Sequence, residues 1–485
     1  MKTHCIEGQM EFQGLGKRTV VADFDGGDLT SDAGLLLLRE VDQERGVCER
    51  LAACCVDHRD QRRIEHSLVD LWRQRVMALA CGYEDINDHR RLRGDRMLAV
   101  ACNRDDITGQ SRRRERDRGI ALASPSTLNR LELGMRGTAA HHRYKRIHVD
   151  TDKLDRLLVD LFVEAYARVP EEVVVDIDAT DVQLHGHQEG RRYNAHYGGQ
   201  IYLPLYITCG SHVLCCRLRG AEREAAHGAK DELARVVAFL RGHWPDVRVI
   251  VRGDSGFCRD EIMAWCEAMK GVDYVFGLAH NVRLTRRTVK HMERSRRRMI
   301  ATGKPSRRFT GFRYRTLESW SRKRRVVAKA EWLAGESPRP SSRFIVTSLS
   351  ADRWPKHELY EKLYCGRANI ENEIKQQQMC LFSDRLSSSV MVANQLRMYV
   401  SALAGELLET LRRVGLQETP MEKARADTTR SRLVKQAATV KVSVRRVVVS
   451  MASPSPHQGV FRRAHANLRR HFAMLTRWRQ RAAPT

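Results

Sequence analysis

The segment "VVVDIDATDVQL", residues 173–184, contains three aspartates within six positions of an apolar run. Its valines and isoleucine predict a buried strand, in which a carboxylate needs a partner. Side chains alternate along a strand, so Asp176 and Asp178 should point to one side and Asp181 to the other. This geometry leaves open whether Asp176 or Asp178 takes part in chemistry.

The regions on either side of this strand predict a mixed α/β fold. Two further strands within 202–221 are followed by helix 230–245, a strand that leads into a Gly-Asp-Ser-Gly turn within 247–257, helix 259–271 and strand 272–279. Strands and helices in this order indicate one mixed sheet with helices packed against it. Residues 31–102 instead read as amphipathic helices with cap residues, so we expect a helical N-terminal region.

The charge of the chain predicts a polyanionic partner. Its 485 residues include 85 Lys and Arg against 59 Asp and Glu, a net charge of +26. Such an excess most often indicates nucleic acid, although ribosome-associated and membrane-surface proteins are also basic. The sequence has no apolar stretch of about 18 residues and no signal-peptide core, so we predict a cytoplasmic protein with no membrane partner.

The positive charge is concentrated in residues 283–325, which contain 17 Lys and Arg and only two acids, Glu293 and Glu318. Aromatic residues interleave with the cations in "RRFTGFRYRTLESWSRKRR", residues 307–325. The alternation predicts short strands that are polar on both sides. A DNA-binding surface explains this composition better than a solvated face does.

Three acidic places could bind metal ions: the aspartates at 176–181, Asp254 after an apolar strand, and Glu371 or Glu373 in a late helix. Carboxylates are the ligands that Mg²⁺ prefers, and two ions about 4 Å apart can catalyse phosphodiester chemistry. Each place has an ordinary structural alternative, since Asp254 could simply cap the turn that follows its strand. Their combination in one basic α/β chain favours the metal site.

Helix periodicity distinguishes the two glutamates. At 100° per residue, Tyr364, Arg367 and Glu371 fall within about 60° of one another, and Glu373 lies on the opposite side. Lys375 and Gln378 return to the first face. We therefore predict that Glu371 is the functional glutamate.

These residues resemble the bacterial insertion-sequence transposases of the DDE superfamily, from about residue 20 to 465. The closest resemblance is to the group with a Tyr-x₂-Arg-x₃-Glu-x₆-Lys motif, which reads here Tyr364, Arg367 and Glu371. The family's Asp-x-Thr pattern would make Asp178 the first catalytic aspartate, and "RGDSGF" would supply Asp254. The motif lysine is replaced by Gln378, and Lys375 on the same helix face could substitute for it.

The resemblance implies an RNase H-like (retroviral integrase-like) catalytic core interrupted by a β-rich insertion. It implies that Asp178, Asp254 and Glu371 hold two Mg²⁺ ions, for which Mn²⁺ can substitute. Tyr364, Arg367 and Lys375 would then bind the DNA. In this group a flipped base stacks on a tryptophan, for which Trp320 and Trp265 are candidates.

The implied activity is cleavage at the terminal inverted repeats of an insertion sequence, followed by transfer of the ends into target DNA. Its partner is double-stranded DNA, its synaptic complex holds a homodimer, and its location is the cytoplasm in association with the nucleoid. The alternatives are a structure-specific metal-dependent nuclease and a catalytically silent DNA-binding protein. The expected regions are 1–150 (helical, DNA-binding), 171–282 (first part of the core), 283–350 (basic insertion), 351–415 (closing helices of the core) and 416–485 (basic C-terminal region).

Overall fold

The computed structural model describes residues 9–133, 146–195, 197–222, 224–335 and 337–482. The chain divides into two compact units. The sheet unit comprises residues 47–60 and 129–410 and contains every candidate site residue. The terminal unit comprises residues 1–46, 61–128 and 411–485.

The sheet unit is built on a mixed sheet of eight strands, in the order β3-β2-β1-β4-β5-β8-β7-β6. The central strands β1, β4 and β5 are parallel, and every other neighbouring pair is antiparallel. The predicted α/β fold is therefore confirmed. The strands are β1 (Glu172–Ala179), β2 (Leu205–Cys209), β3 (His212–Arg217), β4 (Arg248–Gly253), β5 (Val272–Leu278), β6 (Ser306–Tyr314), β7 (Arg324–Leu333) and β8 (Arg339–Thr347).

Both faces of the central strands are covered, which explains their nearly continuous apolar sequences. On one face, Val175 and Ile177 of β1 join the core formed with α1 (Thr151–Val163), α2 (Ala229–His243) and α3 (Asp260–Ala268). On the other face, apolar residues of β4 and β5 pack with a helical segment that begins at residue 356. The carboxyl ends of β1 and β4 thus lie between packed layers.

The basic segment differs from its predicted secondary structure. Residues 282–302 form one long helix, α4 (Val282–Thr302), rather than short strands. The buried residues Leu284, Thr288, Ser295 and Met299 recur with helical spacing, a pattern that the many intervening arginines obscured. The strands predicted after it exist as β6 to β8, and they continue the main sheet through the pairing of β8 with β5.

The remaining elements of the sheet unit are short, apart from α6. After α4 come helices α5 (Ala368–Lys375) and α6 (Met391–Thr410). The others are helices Val47–Ala53 and Lys356–Glu358, and strands Cys55–Asp57, Ile147–Val149, Val182–Gln183, Arg192–Asn194 and Gly199–Tyr202. A further helix, Pro125–Glu132, has its first four residues in the terminal unit and the rest in the sheet unit. It precedes residues 134–145, which lie outside the described part of the chain.

The terminal unit brings the two ends of the chain together, because strand Leu29–Thr30 pairs with strand Ala438–Val442. One of the helices predicted within residues 31–102 is Leu68–Cys81, with a capping box between Ser67 and Asp70. Its other helices are Leu35–Arg45, His89–Leu92, Arg96–Ala101, Ala426–Thr429 and Gln458–Ala482, and its other strands are Met10–Leu15, Arg18–Ala22 and Val447–Met451.

Candidate active site

The parallel pairing of β1 with β4 brings two of the predicted carboxylates to the same edge of the sheet. Arg252 lies opposite Asp176, and Gly253 lies opposite Ile177. One step further along this register, Asp254 follows β4 at the level of Asp178. The carboxyl ends of neighbouring parallel strands are where α/β sheets usually place their ligands.

Asp176 has a partner within the fold. Its two carboxylate oxygens accept hydrogen bonds from Arg252, at 2.5 Å from Nε and 2.7 Å from Nη2. Both side chains are buried, and the Arg252 guanidinium also donates to the backbone oxygen of Leu363. This bidentate pair joins β1, β4 and the helical segment packed over them, so the charge of Asp176 is used to hold the sheet and helix together.

Asp178 is in different surroundings. Its Oδ1 accepts a hydrogen bond from the backbone N–H of Ala179 at 2.9 Å, and its Oδ2 lies 3.3 Å from Nη1 of Arg367. Burial raises the pKa of this carboxyl to about 6; Arg367 opposes the rise, and the negative charges of Asp254 and Glu371 add to it. Asp178 therefore lies within electrostatic reach of both other predicted carboxylates.

Asp254 caps the turn after β4, as its structural alternative predicted. Its Oδ1 accepts a hydrogen bond from the backbone N–H of Gly256 at 2.7 Å, at the start of a short 3₁₀ turn. This bond uses one carboxylate oxygen and fixes the orientation of the group. Capping and metal binding are compatible, because the second oxygen remains available as a ligand.

Residues 356–380 form a helical segment of changing pitch rather than the regular helix expected. A π-helical stretch, Leu359–Tyr364, is followed by a 3₁₀ turn, Cys365–Arg367, then by α5 and a second π-helical stretch, Gln376–Cys380. Residues three apart are eclipsed in a 3₁₀ turn, so Tyr364 and Arg367 stay on one side. Such irregular helices are frequent at functional sites.

Arg367 connects this helical segment to the sheet. Its Nη2 lies 3.1 Å from Oε1 of Glu371, one turn further along, while its Nη1 contacts Asp178. Glu371 is about half exposed, whereas Asp178 is mostly buried. The guanidinium thus joins two of the three predicted metal ligands.

The hydroxyl of Tyr364 lies over Gly277 of β5. A Cβ atom at residue 277 would lie 2.6 Å from the Tyr364 oxygen and 3.0 Å from the backbone nitrogen of Ser255. Burial raises the pKa of Tyr364, Arg367 opposes the rise and Asp254 adds to it, so the hydroxyl stays protonated at neutral pH. A glycine is needed at residue 277 to make room for this tyrosine.

Lys375 and Gln378 differ in their contacts. Lys375 is exposed, and within the described ranges no ion pair holds it. Gln378, at the position of the motif lysine, donates from Nε2 to the backbone oxygen of Asp181 at 3.1 Å and lies 3.4 Å from Oγ1 of Thr180. Gln378 therefore ties α5 and its continuation to the loop that follows Asp178.

The three carboxylates have the right chemistry for Mg²⁺, because all their ligand atoms would be oxygens. Among the residues that the structure describes, however, no group of three His, Cys, Asp or Glu side chains is arranged to share one metal ion. Arg367 forms ion pairs with Asp178 and Glu371, so a metal ion held by both acids would have to displace the guanidinium.

The two tryptophan candidates differ in exposure. Trp320 is 4% exposed and packs edge-on against Tyr314 with 5.7 Å between ring centroids, and Arg324 lies over its ring. Trp265 is partly buried against the main core. A flipped base could stack on Trp320 only if that side chain left its packing site.

Two residues of the site were missed from the sequence: Arg252 and Gly277. A charged residue within the apolar strand "VRVIVRG" (residues 247–253) could have indicated Arg252 as the partner of Asp176. Likewise, a glycine inside the strand "VDYVFGL" often marks a close approach of another group.

The chain matches a known protein family. The family described as Transposase DDE domain group 1 matches residues 12–473, nearly the whole chain. The chain belongs to this family. The resemblance to DDE transposases is thereby confirmed, and this transposase has DNA as the partner that its family implies.

No curated protein matches this transposase. Its large mixed α/β sheet fits a DDE transposase fold, and members of this family generally use divalent metal ions. Within the described residues, no helix has both the length and the apolar character needed to cross a membrane.

Proposed function

We propose that this transposase cuts DNA at the terminal inverted repeats of an insertion sequence and transfers the ends into target DNA. The observation that carries the proposal is the grouping of Asp178, Asp254 and Glu371 near Arg367 in a chain of the DDE family. The fold we propose is an RNase H-like core interrupted by an insertion at 283–350. The parallel strands β1 and β4, with the helical segment 356–380 over them, support this assignment.

Asp178, Asp254 and Glu371 would hold two Mg²⁺ ions, for which Mn²⁺ can substitute. When bound, the ions supply activation of the attacking water or hydroxyl and stabilisation of the leaving oxygen. The Gly256 N–H orients Asp254, and the strand backbone orients Asp178 through Ala179. The acids are therefore positioned by the fold before any substrate arrives.

Arg367 has two tasks in this mechanism. Before DNA binds, its guanidinium neutralises Asp178 and Glu371, which would otherwise repel each other and Asp254. With DNA present, its forked donors suit the phosphate near the cut. Tyr364 is held beside it by the space above Gly277, and Lys375, which is exposed, would bind the backbone of the same DNA.

We further propose that this transposase works as a homodimer on DNA, because two element ends must be cut in one synaptic complex. The helical N-terminal region and the basic region 416–485 would bind the ends. The net charge of +26 supports contact with both element and target DNA. The proposed location is the cytoplasm, in association with the nucleoid.

The test is a cleavage and strand-transfer assay on DNA carrying the element's own ends, with Mg²⁺, with Mn²⁺ and with EDTA. We expect joined products that require the metal and disappear in Asp254→Ala. Asp254→Asn is the sharper variant, since its amide oxygen can still cap the turn at Gly256 while the charge is lost. We expect joined products to be absent from this variant too, with the thermal unfolding of the protein unchanged.

The other outcomes identify the alternatives. Metal-dependent cutting without joined products would leave a structure-specific nuclease. Binding of the ends without cutting, equal in wild type, Asp254→Asn and EDTA, would contradict the catalytic site and leave a silent DNA-binding protein.

A further inference from the structure

Helix α4 has one buried side and a strongly basic exposed side. Its buried residues pack against strands β6 to β8. The Ser295 hydroxyl donates a hydrogen bond to the backbone oxygen of Ala330 at 3.0 Å. The helix contains eight Lys and Arg against the single acid Glu293, and all eight cations are exposed. The few buried residues of α4 therefore hold the helix against the unit, and its positive charges are exposed to solvent.

Four of these cations form a row. Arg286, Lys290, Arg294 and Arg298 are spaced four residues apart, so they follow one another along the exposed surface of the helix. At 1.5 Å per residue their Cα atoms span roughly 18 Å. Like charges at this spacing repel and weaken a helix, so the row has a cost in stability that a bound polyanion would remove.

The row is not neutralised by the fold. Arg297 and Arg296 lie 3.1 Å and 3.8 Å from the carboxylate of Glu293, so the only acid of the helix is already shared. No member of the row forms an ion pair or a side-chain hydrogen bond with another residue in the described part of the chain. Within the described residues, these four charges therefore have only solvent as a partner.

The surroundings of the row are positive as well. Burial, together with the nearby cations Arg294, Lys356 and Arg308, lowers the pKa of His291. On the flanks of α4, the guanidinium of Arg283 lies 5.4 Å from the ring centroid of Tyr314. Cations that stack on rings are fixed in place, whereas the four side chains of the row remain able to contact phosphates.

We propose that the row Arg286, Lys290, Arg294 and Arg298 binds the phosphate backbone of duplex DNA without regard to its sequence. Duplex DNA carries one charge per about 1.7 Å of its axis, so a row of this length can contact several phosphates. Lysine and arginine side chains on an exposed helix can contact phosphates and so position a duplex. Contacts to phosphates carry no information about the base sequence. This inference rests on the proposed function and adds to it one DNA contact outside the acidic site.

The test measures binding of the full-length protein to a random-sequence duplex by fluorescence anisotropy at a series of salt concentrations. The row variant is Arg286→Gln, Lys290→Gln and Arg294→Gln together. The control removes the same charge from three scattered lysines of the same unit, Lys153→Gln, Lys230→Gln and Lys270→Gln. The row variant should unfold at the temperature of wild type or slightly above it, because the row makes no contact that holds the fold and its like charges repel one another. The control should unfold close to wild type, because Lys153 and Lys230 form only partly exposed ion pairs.

We expect the slope of log K against log salt to fall by about 2 to 3 units in the row variant and to stay unchanged in the control. Equal changes in both variants would show that only net charge matters and would overturn the proposal. An unchanged slope in the row variant, or a loss seen with duplex RNA but not with DNA, would overturn it as well. Because binding is measured without cutting, failure of the catalytic proposal would leave this result intact.

Discussion

At the scale of single residues, Arg367 is the group that connects the acids of the site. It holds Asp178 and Glu371 through two separate nitrogens, at 3.3 Å and 3.1 Å. A cation that occupies two proposed metal ligands competes with any metal ion that needs them. The ion pairs thus offset the repulsion between Asp178 and Glu371, and a metal ion held by both acids would have to displace the guanidinium.

Arg367→Gln should therefore tighten the binding of Mn²⁺ to the DNA-free protein. Loss of the guanidinium releases both carboxylates, and we expect the Kd to fall about tenfold, which is about 1.4 kcal/mol. Isothermal titration calorimetry measures this directly. Strand transfer by the same variant should fall, because the proposed phosphate contact is lost.

The matched control is Lys362→Gln, which removes one charge from the same helical segment but breaks only an ion pair with Glu358. Its Kd for Mn²⁺ should equal that of wild type. Equal or weaker Mn²⁺ binding in Arg367→Gln would contradict the competition between arginine and metal. Absence of saturable binding in every variant would instead argue against the metal site itself.

The sequence could predict that aspartates of β1 matter, but not which of them faces the other acids. Alternation puts Asp176 and Asp178 on the same side, and only the register with β4 shows that Arg252 takes Asp176. Register is a long-range property, because Asp176 and Arg252 are 76 positions apart in the sequence. The choice of Asp178 from the Asp-x-Thr resemblance stays a prediction that mutation must test.

At the scale of elements, sequence periodicity was informative wherever an element is regular. It predicted the strands β1 to β5 and the helices α2 and α3, whose apolar patterns are clear. It was wrong for residues 283–302, where arginines outnumber the few buried positions of α4. It also assumed a uniform 100° per residue for 356–380, and could not foresee the π-helical and 3₁₀ turns there.

The close approach of Tyr364 in the helical segment to Gly277 of β5 can be tested by mutation. Gly277→Ala should displace Tyr364 and the backbone around Ser255, since its Cβ would lie 2.6 Å and 3.0 Å from their atoms. We expect a loss of about 1–3 kcal/mol in the free energy of unfolding and a clear loss of strand transfer. Denaturant unfolding and the strand-transfer rate are the measurements.

Gly311→Ala is the control in the same sheet, because its Cβ would make only an ordinary contact, 3.8 Å from the backbone oxygen of Val326. Adding Tyr364→Phe to Gly277→Ala should recover part of the lost stability by removing the hydroxyl. Full activity and stability in Gly277→Ala would show that the site does not depend on this close approach.

At the scale of the whole molecule, the two ends of the chain fold into one unit, which the expected regions 1–150 and 416–485 treated as separate. Lys435 lies 2.8 Å from Asp32 and 4.0 Å from the ring centroid of Tyr83, so residues distant in sequence share one polar contact. Local patterns carry no information about such pairings. The DNA-binding roles proposed for these regions therefore concern one compact unit.

We propose that Glu371 completes the acidic metal site at which the DNA ends are joined. It is tested most directly by strand transfer on the element's ends with two variants of neighbouring glutamates. Glu371→Gln removes the carboxylate that contacts Arg367, and Glu373→Gln removes one that accepts a hydrogen bond from Gln376 instead. Both changes keep the size of the side chain and alter the charge equally.

We predict that joined products disappear with Glu371→Gln and persist with Glu373→Gln, while both variants bind the ends as wild type does. Joined products at wild-type rates from Glu371→Gln would contradict the assignment of this glutamate and, with it, the proposed acidic site.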